Sequence, residues 1–177
     1  MIRKDQYEDG SWFGRWGCNY IYGTWQALVG LALIGEDLNQ PYVQRAVRWL
    51  KSVQNEDGGW GESLASYNDE TLKGQAPSTA SQTSWGVLGL IAAGESRSRS
   101  VRQGIEWLLA RQKADGSFDE KEWTGTGFPK VFYLRYHSYC IYFPLLALNA
   151  YLAAFPEEQS EKKFKEEPST KNYVQVK

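Results

Sequence analysis

Hydrophobic positions along this chain fall into two alternating textures. The stretches Thr24 to Gly35 and Thr83 to Gly94 are apolar nearly all round, the pattern of helices buried on every side. They align at an offset of 59 residues, and both close on glycine, a common stop at a helix C-terminus. Ala46 to Val53 and Gly104 to Arg111 instead place apolar residues at helical spacing among polar ones, which predicts amphipathic helices with one buried face. A third apolar stretch, His137 to Ala154, closes the ordered region. Pro144 within it is expected to kink that helix or to start a new one.

The turns between these helices repeat. Gln6 precedes Trp12, Gln54 precedes Trp60 and Gln112 precedes Phe118, each by six positions with Asp-Gly in between. The Asp-Gly step predicts the turn that stops the outer helix, and the aromatic then folds back over the helix end. The unit is an inner, apolar helix paired with an outer, amphipathic one. Such pairs stack side by side, each burying the face of its neighbour. The expected fold class is therefore all-α, a partial α/α toroid amounting to about half of an α6/α6 barrel. Residues 1–155 form this unit; residues 156–177 are charged, mixed in sign and nearly free of apolar side chains, and read as a disordered tail.

Composition narrows the function. With 20 Lys and Arg against 21 Asp and Glu, the formal charge is −1, so nothing in the charge balance points to nucleic acid. Aromatic residues make up 15% of the 177 residues, eight of them Trp and eleven Tyr. Rings in that number pack a core or line an apolar pocket. Cys18 and Cys140 lie too far apart for a metal knuckle and read as two reduced thiols. The N-terminus lacks the apolar core of a signal peptide, and no window reaches the roughly 18 apolar residues of a membrane span.

Several longer motifs together resemble one family. They are Gly10 to Gly17, Asn19 to Thr24, Gln54 to Glu62, Ser78 to Trp85 and Gly125 to Tyr136. From about residue 5 to residue 154 the chain is similar to the C-terminal part of squalene-hopene cyclases, and Gly125-Thr126-Gly127-Phe128-Pro129 looks like the bacterial enzymes. The resemblance implies two α/α barrel domains, with this chain supplying the later part of the catalytic one. It implies cyclisation of squalene to hopene or a hopanol through carbocations, with no metal or organic cofactor. It also implies a peripheral, monotopic enzyme on the cytoplasmic side of a bacterial membrane. Trp16, Phe128, Phe132, Tyr136 and Tyr139 match residues lining the family's cavity, and Tyr22 matches a tyrosine supporting the catalytic acid. Physically, a ring face attracts a cation by roughly 0.5–2 kcal/mol when water is excluded. Tyr20, Trp25, Trp49 and Trp107 read as packing.

The family's acid lies in an Asp-x-Asp-Asp motif, and none of the seven aspartates here forms one. Asp9, Asp57 and Asp115 belong to the repeat turns; Asp69-Glu70 and Asp119-Glu120 read as solvated loop carboxylates, too exposed to hold a proton at neutral pH. Because alkene protonation needs a strong, desolvated acid, the chain alone is expected not to cyclise squalene. An upstream cyclase chain completing the barrel is the implied partner. A non-catalytic fragment or interaction module remains an alternative. So does a zinc toroid like the β subunit of protein prenyltransferases, for which His137 and Cys140 would offer two ligands and no evident third.

Overall fold

The computed structural model describes residues 2–156. Most of the tail expected over 156–177 lies outside the described residues. Five helices carry the fold: α1 (Tyr20–Leu33), α2 (Pro41–Ser52), α3 (Ala80–Ala92), α4 (Arg99–Arg111) and α5 (Tyr139–Ala153). Two short strands, β1 (Gly125–Phe128) and β2 (Phe132–Leu134), stand between α4 and α5. The chain thus folds as an α/α toroid fragment interrupted by one hairpin.

The all-apolar helices α1, α3 and α5 make the inner layer, with α3 packed against both of the others. Helix α2 backs α1 and α3, and α4 backs α3 and α5. Their ends follow local chemistry. Pro41 opens α2 at the position where a missing N–H costs nothing. Thr79 Oγ1 and Ser98 Oγ accept the amides of Gln82 and Val101 to cap α3 and α4. Gly35 and Gly94, both left-handed, end α1 and α3, with Glu36 and Glu95 amides returning to the carbonyls of Leu31 and Leu90.

The repeat turns are built as the Gln-to-aromatic spacing predicts. Gln54 Nε2 donates to the carbonyls of Gly58 (2.7 Å) and Ser100 (2.9 Å), tying its turn to the start of the next outer helix. Gln6 does the same to Gly10 and Tyr42, and Gln112 reaches Gly116. Gly10, Gly58 and Gly116 all hold positive φ, so Gly in each Asp-Gly step supplies the left-handed turn. The fully buried Trp60 folds back so that its indole N–H donates to the Leu50 carbonyl at 2.8 Å. Trp12 reaches the Ile2 carbonyl in the same way.

Pro144 neither starts a new helix nor ends one: α5 begins at Tyr139 and runs through it. Packing compensates the lost helix hydrogen bond, since Phe143 and Pro144 are both buried. One side of α5 is open, with Leu145 66% and Ile141 56% exposed.

Candidate functional site

The stretch Gly125 to Leu134 forms an antiparallel hairpin, with Gly125 opposite Leu134 and Thr126 opposite Tyr133. The register slips between Thr126 and Phe128, leaving Gly127 as the extra, unpaired residue of β1, and Thr126 is buried. Rings fill the space beside both glycines. A Cβ on Gly125 would lie 2.4 Å from the Tyr136 ring, and one on Gly127 would lie 2.0 Å from the Phe132 ring. Gly17, bridged to Gly125, is covered by Tyr22, 2.2 Å from where its Cβ would be. Each glycine therefore yields its side-chain space to an aromatic of the candidate set.

The rings form two connected groups. Trp16 meets Phe128 at 6.4 Å between centroids, and Phe128 meets Phe132 at 5.8 Å. Trp16 and Phe128 are about half exposed, at 49% and 50%, and the Arg15 guanidinium lies 5.0 Å over the Trp16 ring. In the second group Tyr136 stacks on Tyr139 at 4.7 Å, Tyr139 meets the buried Trp85 at 5.9 Å, and Trp85 meets Tyr22 at 5.0 Å. Phe143 packs edge-on against both Trp85 and Tyr139. Tyr22 and Tyr139 stand in the opening turns of α1 and α5, and Trp85 in the second turn of α3. The N-terminal halves of all three inner helices therefore contribute rings to one aromatic patch.

The structure thus brings Trp16, Phe128 and Phe132 together, and Tyr22, Tyr136 and Tyr139 together. Burial pushes the Tyr22 hydroxyl up, with Tyr136 adding to it, and burial likewise raises Tyr139. A phenol raised above its ordinary value stays neutral at physiological pH. Tyr20, Trp49 and Trp107 are buried as packing residues, and Trp25 stacks on Trp85.

Beneath the patch lies a polar network that the expectations above missed. The loop from Gly14 to Asn19, which presents Trp16, is fastened at both ends. Tyr67 Oη sits 3.0 and 2.8 Å from the carbonyls of Gly14 and Gly17 and shares its proton between them. Asn19 Oδ1 accepts the Gly14 amide, and its Nδ2 donates to Ser66 Oγ. Gln82 Nε2 donates to the carbonyls of Cys18 and Glu62, while its Oε1 accepts the Glu62 amide and the Thr79 hydroxyl. The Cys18 amide donates to the Thr124 carbonyl at 2.8 Å, joining the loop to the residue before the hairpin.

Two buried carboxylates complete it. Glu62, 4% exposed, accepts the amides of Ile21 (2.9 Å) and Asn19 (3.2 Å) on Oε2 at the start of α1. Glu120, 7% exposed, accepts the Ser81 amide and hydroxyl at 2.8 Å each at the start of α3. Glu120 corrects the expectation that the Asp119-Glu120 pair is solvated. The exposed α3 amides draw its side chain inward, whereas Asp119 faces solvent and pairs with Lys113. Burial pushes both carboxyls up, and the backbone N–H donors partly offset this. A signal was present: Glu62 and Glu120 each stand eight residues after their repeat Gln, where the first copy has Gly14.

The profile of the squalene-hopene cyclase C-terminal domain matches residues 1–153. A squalene-hopene cyclase of Zymomonas mobilis is 55% identical over 152 residues, covering 85% of this chain and 23% of that protein. The squalene-hopene cyclase of Alicyclobacillus acidocaldarius is 47% identical over 153 residues, covering 86% and 24%. A dammaradiene synthase of Dryopteris crassirhizoma is 48% identical over 164 residues, covering 85% and 24%. The chain spans about a quarter of the length of these curated relatives.

Proposed function

Because the chain belongs to the squalene-hopene cyclase C-terminal domain family, we propose that it supplies the aromatic wall of a triterpene cyclase cavity. In this reading Trp16, Phe128, Phe132, Tyr136 and Tyr139 face the cations formed as squalene closes ring by ring to hopene or a hopanol. Ring faces attract such charge and offer no nucleophile to quench it early. The observation that carries the reading is the convergence of these rings, over three glycines that leave them room.

The proton comes from outside these 177 residues in this proposal, from an acid-bearing upstream part that completes the barrel. Tyr22, held as a neutral phenol in the first turn of α1, supports that acid by hydrogen bonding. No cofactor is required. The assembled enzyme sits on the cytoplasmic face of a bacterial membrane and draws its polyprene substrate from the bilayer. No helix among the described residues is long and apolar enough to cross it.

The test joins this chain to the part of the Zymomonas mobilis relative that lies outside the matched quarter. The joined protein is expected to convert squalene to polycyclic product, while this chain alone yields none. Phe128→Ala and Tyr136→Ala are expected to shift product toward earlier-terminated rings. Cyclic product from the chain alone, or an unchanged product spectrum in both variants, refutes the reading.

A further inference from the structure

An aromatic wall for cations has an electrostatic difficulty here. Three inner helices contribute rings to it from their N-terminal halves, and the N-terminal end of each carries about +0.5 elementary charge. Left open, those ends would repel the positive charge that the rings attract. Two of the three are closed by buried carboxylates. Glu62 holds the first amides of α1, and Glu120 holds those of α3. Neither forms an ion pair among the described residues, and Glu62 Oε1 is buried with no hydrogen-bond partner. Neutral caps would serve the helices as well, as Thr79 and Ser98 show on α3 and α4. The carboxylate brings a negative charge that a hydroxyl does not.

We propose that Glu62 and Glu120 are positioning residues that cancel the positive ends of α1 and α3 beneath the aromatic patch, so that the patch favours a cation over a neutral group of the same shape. This rests on the cation-wall reading above and adds a role for two residues that touch no substrate. The Glu62 carboxylate also holds the Asn19 amide at the end of the Trp16 loop, while Gln82 binds the Glu62 backbone.

The test uses the full chain and a matched pair of ligands, hexyltrimethylammonium and 2,2-dimethyloctane, in which carbon replaces the charged nitrogen. Binding is followed by tryptophan fluorescence at about pH 8, well above the ordinary carboxylate range. Wild-type chain is expected to prefer the ammonium ion. Glu62→Gln and Glu120→Gln each keep an acceptor for the helix amides and lose the charge. Each is expected to weaken the ammonium ion ~3- to 10-fold and leave the neutral ligand within about twofold. Parallel weakening of both ligands assigns the carboxylates a purely structural role and overturns the proposal. An unchanged preference in both variants overturns it too. If wild-type chain shows no preference for the ammonium ion, the cation-wall reading itself fails, which is a separate result. Circular dichroism checks each variant; if Glu62→Gln unfolds, Glu120→Gln carries the test on the neighbouring helix. Unfolding of both overturns the proposal, because the fold itself then needs the charge.

Discussion

The amide of Thr126 donates to the carbonyl of Trp16 at 3.1 Å, so the loop presenting Trp16 and the strand presenting Phe128 form one hydrogen-bonded unit. The Gly17–Gly125 bridge lies beside it. Rings from α1 and from the lead-in to α5 cover that bridge, and there is no space between ring and backbone for a methyl group.

Gly125→Ala is therefore expected to displace Tyr136 and open the Tyr136–Tyr139 stack. Overpacking of this kind costs about 1–3 kcal/mol. Urea unfolding measures that loss, and near-ultraviolet circular dichroism reports the change in tyrosine packing. Gly30→Ala is the control, since nothing beyond its chain neighbours and its own helix backbone lies within 4 Å of its Cβ position, and it is expected to be neutral or mildly stabilising.

The hairpin turn holds the opposite kind of site. Pro129 and Lys130 are its central residues, closed by the Val131 amide on the Phe128 carbonyl at 3.0 Å, and Lys130 has φ of 67°. That geometry favours glycine at the second central position. Lys130 is exposed, so Lys130→Gly is expected to stabilise the chain by about 1 kcal/mol and raise the melting temperature. An unchanged or lower temperature counts against strain at this turn.

The repeat glutamines are not equivalent. Gln54 bonds both its own turn and the Ser100 carbonyl of α4, whereas Gln112 bonds only its own turn among the described residues. Gln54→Ala should cost about 1–3 kcal/mol because a partly buried carbonyl is left unpaired. Gln112→Ala, at an exposed turn, should cost about 0.5 kcal/mol or less. Paired urea titrations test the difference, and equal losses would show that the turn alone carries the glutamine's contribution.

Helices α1 to α5 were legible because their apolar spacing and glycine stops are local signals, and the turns because Gln, Asp-Gly and the aromatic recur at fixed intervals. The aromatic candidates emerged from longer motifs matched as blocks. The hairpin was not legible: Gly-Thr-Gly lacks alternating apolar residues, and one of its partners, Gly17, lies more than a hundred residues earlier. Glu120 was misplaced for a similar reason. Its burial depends on Ser81, 39 residues before it, and nothing local distinguishes it from Asp119. Pro144 starts no new helix, because α5 runs through it with Phe143 and Pro144 packed into the core.

The buried carboxylates make a pH prediction whose sign is definite. Burial raises both Glu62 and Glu120 above the ordinary carboxylate range, although their backbone N–H partners pull the other way. A carboxyl raised in the folded state binds more protons there than in the unfolded chain. Its stabilising contribution is then complete below about pH 4.3 and is lost as pH rises through the folded values. Around Glu62 the Cys18 thiol is itself pushed up by burial and then by Glu62; around Glu120 stand Ser81, Thr124 and Glu122, with the Arg135 guanidinium on the Glu120 carbonyl and the Cys140 thiol nearby. Glu62→Gln with Glu120→Gln removes both titrations, so the variant should gain stability relative to wild type as pH rises from about 4 to 8. Urea unfolding of both proteins across that range checks it, and parallel curves would show that the two carboxyls titrate as they do in the unfolded chain. Because Gln keeps an acceptor for the α1 and α3 amides, a difference between the two curves reports the charge of the carboxyls and not the loss of their hydrogen bonds.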